Sequence, residues 1–128
     1  MHTFPTKLYR FILWFQGLYT LFTALWPLVD IQSFVWITGP KTDIWLVKTV
    51  AACLMVIALA MLSFLLVNSH PLPAIVLGGG TAVGMAIVDF YYTFTDTISA
   101  IYLYDGVLEA VFVFIWLYIA SRLGSFKP

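Results

Sequence analysis

The chain has 128 residues, of which 62% are hydrophobic and only 9% are charged, and its six Lys and Arg residues balance six Asp and Glu residues. Soluble domains are about a quarter charged, disordered chains carry more charge and fewer aromatic residues, and nucleic-acid binders need a basic surface, so this composition excludes all three classes. A single cysteine also excludes a disulfide scaffold and a CxxC pair. From the apolar composition we expect one transmembrane domain over residues 1–128.

The first predicted helix covers residues 6–28 and is long enough to cross a bilayer, which takes about 20 mostly apolar residues. The pair Trp26-Pro27 and the following Asp30 are expected to end it. The run is too long for the apolar region of a signal peptide, and no small-residue cleavage site follows it. We therefore expect this helix to be retained as a membrane span.

The segment from Val29 to Lys41 is the only sizeable loop on the outer side of the predicted topology. It is rich in apolar and aromatic residues, among them Phe34 and Trp36. Such a composition indicates that the loop lies on the membrane surface or caps the helices.

Three further apolar runs follow, at residues 42–67, 73–94 and 99–123. Gly39-Pro40 precede the first of them, Pro71 and Pro73 lie at the start of the second, and Gly124 follows the third, as is typical of helix ends. The runs are continuous rather than alternating, which favours helices over barrel strands. The predicted fold class is therefore all-α: an integral membrane bundle of four antiparallel helices.

The basic residues give this bundle a predicted orientation. Lys7, Arg10, Arg122 and Lys127 fall on the side that carries both termini, whereas Lys41 lies on the other side. Cytoplasmic loops carry an excess of Lys and Arg. The sequence therefore predicts a multi-pass protein of the cell (inner) membrane with both termini in the cytoplasm.

Four ionisable residues fall inside the predicted spans. Asp89 lies roughly 8 Å from the outer end of its helix, and Lys48 and Asp105 lie roughly 9 Å from theirs, at 1.5 Å per residue. Glu109 is one helical turn below Asp105 on the same face. Ionised groups that face lipid are costly, so such residues turn inward, pair, or take up a proton.

Further polar and aromatic residues accompany these four at similar depth. Gln16 and Thr20 share one face of the first predicted helix and would complete a site from that side. Trp45, Tyr91 and Tyr102 cluster toward the outer end, where they would form its apolar walls. The predicted ligand or ion site therefore consists of nine residues: Asp105, Glu109, Asp89, Lys48, Gln16, Thr20, Trp45, Tyr91 and Tyr102.

The charge balance within this group leaves two interpretations open. In the structural interpretation, Lys48 and Asp89 form a buried pair that fixes helix register, or Lys48 instead extends outward along the helix toward the membrane surface. However, one lysine faces three carboxyl groups, and a low-dielectric site does not hold the surplus negative charge unpaired. Either one or two of the acids hold a proton, or a cation completes the set.

Three functional hypotheses follow. The leading one is a binding protein or small transporter whose site takes a cation, a proton or a small amphipathic ligand. The second is a membrane enzyme that acts on a lipid-soluble substrate with Glu109 as acid or base, although no catalytic set is evident. The third is a structural subunit, or a homodimer, that associates through Gly80 and Gly84. The lipid bilayer is a predicted partner, whereas no cofactor, metal site or nucleic-acid partner is predicted.

Three short stretches carry a family resemblance over the whole chain. These are Gln16-Gly17-Leu18-Tyr19 in the first helix, Asp89-Phe90-Tyr91 at the end of the third, and the Tyr-Leu-Tyr-Asp-Gly run that begins at Tyr102. In size, helix number and general character the chain resembles small four-span bacterial membrane proteins of the DoxX-like kind. The resemblance implies the four-span architecture and no particular activity.

Overall fold

The computed structural model describes residues 3–127, and its regular elements within that range are all helical. They are α1 (Thr6–Val29), α2 (Ile31–Thr38), α3 (Ile44–Ser63), α4 (Leu72–Phe94) and α5 (Tyr102–Ser121), followed by a 3₁₀ turn (Leu123–Ser125). Helices α1, α3, α4 and α5 are each long and apolar enough to cross a membrane. The predicted class, an all-α protein with four such helices, is confirmed.

The predicted outer loop contains a helix, α2, that begins directly after α1. Pro27 lies inside α1, which continues to Val29, and Asp30 then separates the two helices. The Asp30 carboxylate accepts a hydrogen bond from the Ser33 amide at 3.2 Å, and so satisfies one of the free N–H groups at the start of α2. The Trp26 indole donates to Ser33 Oγ at 2.8 Å, which holds α2 against the end of α1.

Two spans are shorter than the hydropathy pattern predicted. Helix α3 ends at Ser63 rather than near residue 67, because the amides of Leu65 and Leu66 bond to carbonyls three residues back and tighten the chain into turns. Helix α5 begins at Tyr102 rather than near residue 99. Hydropathy measures how apolar a segment is, and these flanking residues are apolar without being helical.

The helices pack as two close pairs, α1 with α3 and α4 with α5, and α1 also contacts α5. Small residues permit the closest approaches. A Cβ atom placed on Gly17 would lie 2.8 Å from the Leu62 side chain, and one on Gly78 would lie 2.5 Å from the Trp116 ring. The buried apolar core that joins the pairs consists of Ile12, Leu13, Met61, Ala74, Ala82, Phe112, Trp116 and Ile119.

The exterior of the helices is largely apolar. Large hydrophobic side chains are exposed along all four long helices, for example Phe22 in α1, Val56 in α3, Val76 in α4 and Phe114 in α5. Soluble monomers rarely expose apolar patches of this extent. The exterior therefore fits a lipid environment, while the polar side chains described next are turned inward.

Candidate functional site

Three carboxyl groups lie together where the end of α4 meets the beginning of α5; Asp89, Asp105 and Glu109 are here called the acidic cluster. Asp89 is 2% exposed and Glu109 is 3% exposed, whereas Asp105 is half-buried. The Tyr19 hydroxyl of α1 donates a hydrogen bond to Asp105 Oδ1. Asp89 packs against Gly106, the residue that follows Asp105, so Asp89 and Asp105 are neighbours. Three helices therefore contribute to one polar site.

A glycine permits this meeting of α4 and α5. Gly106 is buried, and a Cβ atom placed on it would lie 3.2 Å from the Asp89 Cβ and 3.1 Å from the Phe90 ring. A larger residue would require Asp89 and Phe90 to shift by a few tenths of an ångström at this level. The absence of a side chain at position 106 thus brings Asp89 close to Asp105.

A cavity of about 10 Å³ lies beside the acidic cluster between the four long helices. That volume accommodates about one water molecule. The hydroxyl and carboxyl side chains on its walls could hydrogen-bond such an occupant. The lining residues are Tyr19, Thr20, Thr23, Leu54, Thr81, Met85, Asp105 and Glu109.

Several buried polar atoms at this end of the bundle have no hydrogen-bond partner among residues 3–127: Asp89 Oδ2, Glu109 Oε2 and Thr93 Oγ1. An unsatisfied buried polar atom costs about 1–3 kcal/mol, and more when the group is charged. Native proteins leave few such atoms, and those that remain often mark a site for water, an ion or a proton. Two members of the acidic cluster are in this position.

The two residues predicted on α1 lie in different environments. Thr20 is buried and lines the cavity, as expected for a site residue. Gln16 is fully buried, but its Nε2 donates to the Gly78 carbonyl at 2.9 Å and its Oε1 accepts from the Trp116 indole at 2.6 Å. Gln16 therefore joins α1 to α4 and α5 in the core and makes no hydrogen bond to the acidic cluster.

The predicted pair of Lys48 with Asp89 is not formed. Lys48 lies on the exposed face of α3, and no carboxylate of the described chain is within salt-bridge distance of it. The inward face of α3 is instead the apolar set Ala51, Leu54 and Ala58. The acidic cluster thus has no lysine partner from α3, and Lys48 does not set its charge.

Of the predicted aromatic walls, two residues lie outside the site. Trp45 is 68% exposed and Tyr91 is 60% exposed, so neither closes the cavity. Tyr102 is half-buried one turn before Asp105, and its ring lies 5.3 Å from Lys41 Nζ. The apolar part of the cavity wall comes instead from Leu54 and Met85.

Lys41 is the basic residue that reaches toward the beginning of α5. Its Nζ donates to the Gly39 carbonyl at 3.0 Å and to the carbonyl and hydroxyl oxygens of Thr38 at 3.3 and 3.2 Å. It also lies over the rings of Phe34 and Tyr102, at distances that permit cation–π attraction. Lys41 therefore holds the end of α2 against α5 rather than pairing with a carboxylate.

The sequence interpretation missed Tyr19, Thr81 and Met85, although helical spacing could have revealed them. Tyr19 follows Gln16 by three residues on the polar face of α1, and Thr81 and Met85 precede Asp89 by eight and four residues on α4. Leu54 gave no comparable signal, because it is one apolar residue among many in α3.

A multidentate metal site does not emerge from these side chains. Within residues 3–127, no three His, Cys, Asp or Glu side chains are placed so that they could hold one metal ion together. In comparisons with protein-family models, with curated proteins and with solved structures, no significant match to this chain was found. The DoxX-like resemblance therefore stays a prediction from the sequence.

Proposed function

We propose that this chain is a multi-pass membrane protein that binds and moves a small cation at the acidic cluster. The cation is either a proton or a monovalent ion. The observation that carries the proposal is that two almost fully buried carboxyl groups, Asp89 and Glu109, each have an unpartnered oxygen, and that Glu109 lines a cavity. A carboxyl group is retained in such a place at a cost. A positive charge, as a bound ion or a bound proton, removes that cost.

The proposal includes an antiparallel bundle with both termini in the cytoplasm of the cell (inner) membrane. In its support, Tyr19 of α1 bonds to Asp105 near the beginning of α5, while the Tyr9 ring packs edge-on against Trp116 near its end. The earlier residue of α1 thus contacts the later residue of α5, as expected of two helices that run in opposite directions. The basic residues near both termini favour the cytoplasmic side.

The cavity volume favours a small occupant over an amphipathic one. About 10 Å³ leaves room for one water molecule, whereas sites for drug-sized ligands occupy about 300–1,000 Å³. The same volume gives no support to the hypothesis of an enzyme that acts on a lipid-soluble substrate. A proton or a single dehydrated ion is the ligand that this geometry accommodates best.

A structural subunit is the second candidate function. A Cβ atom placed on Gly80 or Gly84 would meet nothing within 4 Å, so this GxxxG spacing lies on an open face of α4. Small residues in this arrangement permit close approach of another membrane helix. Co-purification of a stoichiometric partner in mild detergent would support this candidate.

The small-cation proposal predicts that Glu109→Gln weakens cation-dependent stabilisation while the protein still folds. A ligand that binds only the folded state stabilises it by about 2.7 kcal/mol at one hundred times its Kd. The unfolding temperature of the detergent-purified wild type is therefore expected to rise as protons, Na⁺, K⁺ or Li⁺ are added. The response is expected to be smaller in Glu109→Gln, because the amide neither takes up a proton nor carries the negative charge that balances a bound cation.

Asp96→Asn is the matched control for this experiment. Asp96 is exposed in the turn after α4 and has a φ of 57°, a conformation that asparagine also tolerates. This variant should keep the full response of the wild type. Equal responses in the wild type, Glu109→Gln and Asp96→Asn would contradict the proposal, and circular dichroism of each variant would verify that it is folded.

A further inference from the structure

We propose that the cation held by the acidic cluster is a proton, which Asp89 and Asp105 share, with Glu109 one turn deeper as its neighbouring acceptor. This inference rests on the proposed function and identifies the cation. It concerns the occupant of the site in the conformation described above, in which both Asp89 and Glu109 are buried.

The first argument is the contact between the two aspartates. An ionised carboxylate only accepts hydrogen bonds, whereas a protonated one also donates. Asp89 packs beside Asp105 at Gly106, and its Oδ2 has no donor among the described residues, so a hydrogen bond between the two carboxyl groups requires a proton on one of them. The Tyr19 hydroxyl already donates to Asp105 Oδ1, which favours Asp105 as the acceptor of this bond and Asp89 as its donor.

The second argument is the lack of a base that could neutralise the cluster. The titratable groups that face it are Tyr19 from α1, Asp89 from α4, and Asp105 and Glu109 from α5. Helix α3 contributes the apolar Leu54 to the cavity, while its Lys48 is exposed.

Lys41, in the connection between α2 and α3, is bound to the carbonyl groups of Thr38 and Gly39 and makes no ion pair with the described carboxylates. Several carboxylates ionised together without a base are costly in an apolar interior. Protonation of one or more of them removes this cost without any movement of the helices.

The third argument distinguishes a proton from a metal cation. A metal ion replaces its hydration shell with several protein oxygens, as the six to eight ligands of Ca²⁺ illustrate. Among residues 3–127, no three His, Cys, Asp or Glu side chains are placed so that they could hold one metal ion, and the cavity accommodates only about one water molecule. Moreover, Asp89 does not line the cavity, so its neighbour is Asp105 and not an ion placed there.

Infrared spectroscopy of the purified full chain tests this inference directly. A protonated carboxyl group has a carbonyl absorption separate from that of a carboxylate, and the absorption shifts in D₂O. At neutral pH we expect this band in the wild type in choline chloride, with no change when NaCl or KCl replaces it. The band should lose intensity in Asp89→Asn and in Asp105→Asn, whereas Asp96→Asn should keep it.

The variant Tyr19→Phe provides an independent readout, because it removes the hydroxyl donor without changing any acid. We expect the band to remain and to shift in frequency, since the shared proton loses a competing hydrogen bond at Asp105. This variant also keeps the inference testable where an aspartate replacement does not fold.

Two results would overturn the inference in distinguishable ways. If the band disappears on addition of NaCl or KCl, a metal cation displaces the proton, and the proposed function stands while its proton form is wrong. If the band is missing at neutral pH and no cation alters the unfolding temperature, both the inference and the proposed function are wrong.

Discussion

Replacing Trp116 with alanine is expected to destabilise the folded protein by about 3–5 kcal/mol, the usual cost of truncating a large buried aromatic side chain. Trp116 is 2% exposed and lies in the core that joins the two helix pairs. Its ring packs against Gly78, and its indole donates to Gln16 Oε1 at 2.6 Å. The truncation therefore opens a cavity and also leaves a buried acceptor without a donor. Denaturant-induced unfolding in mixed micelles, followed by circular dichroism, would measure this loss.

Two further variants separate the components of this effect. Trp36→Ala is the matched control, because Trp36 is 82% exposed and fills no space inside the protein; it should change the free energy of unfolding little. Trp116→Phe keeps most of the ring and removes the N–H donor, so it should cost about 1–3 kcal/mol for the unsatisfied Gln16 oxygen. If Trp116→Ala and Trp36→Ala were equally stable, the described core packing would be wrong.

Gly78→Ala is expected to destabilise the protein by about 1–3 kcal/mol through overpacking. The added Cβ would lie 2.5 Å from the Trp116 ring, far inside the distance at which carbon atoms repel. The indole cannot move aside freely, because Gln16 holds its N–H, while the Gly78 carbonyl accepts from the same glutamine. The substitution thus strains both the packing and the hydrogen bonds between α1, α4 and α5.

Gly80→Ala is the control for this prediction, since a Cβ atom on Gly80 meets nothing within 4 Å. Both substitutions raise helix propensity equally, by up to about 1 kcal/mol, so the difference between the two variants isolates the steric effect. Gly80→Ala should be neutral or slightly stabilising in the same unfolding assay. A Gly78→Ala protein as stable as Gly80→Ala would contradict the close approach of α4 to α5.

Hydropathy predicted the membrane-spanning helices well and their ends less well. The continuous apolar runs were sufficient for the four long helices, because a span is defined by composition over about 20 residues. The end of α3 at Ser63 depends on local turn hydrogen bonds, which hydropathy does not describe. Helix α2 depends on the capping bond from Ser33 to Asp30, a local signal that the apolar character of its surroundings hid.

The carboxyl part of the site was predictable because depth and helical spacing are read directly from the sequence. Asp105 and Glu109 are one turn apart, and the similar depth of Asp105 and Asp89 was sufficient to place all three at one end of the bundle. Lys48 shares that depth, but apart from Lys48 and Thr49 the residues of α3 up to Leu62 are apolar on every side, so the rotation of the helix is not fixed by the sequence. The structure turns Lys48 outward and Ala51 inward.

Gln16 also shows what the sequence of a single helix does not reveal, namely which residues of other helices a side chain contacts. The depth predicted for Gln16 from the sequence is that of the acidic residues, whereas its partner on α5 is Trp116, seven residues beyond Glu109. A buried glutamine does require such partners. Those partners are Gly78 and Trp116, which come from two other helices, and no spacing within α1 could have identified them. Pairing between helices is set by side-chain fit in three dimensions, and for this reason Tyr19 rather than Gln16 bonds to the acidic cluster.

Cation flux into proteoliposomes tests the central claim, that the buried carboxyl groups move a small cation, most directly. Vesicles would contain a K⁺ gradient and valinomycin to make the interior negative, with dyes for internal pH and internal Na⁺. The wild type and Asp96→Asn should admit protons faster than protein-free vesicles, and Glu109→Gln should fall to the protein-free rate. Equal flux through the wild type and a folded Glu109→Gln protein would contradict the claim.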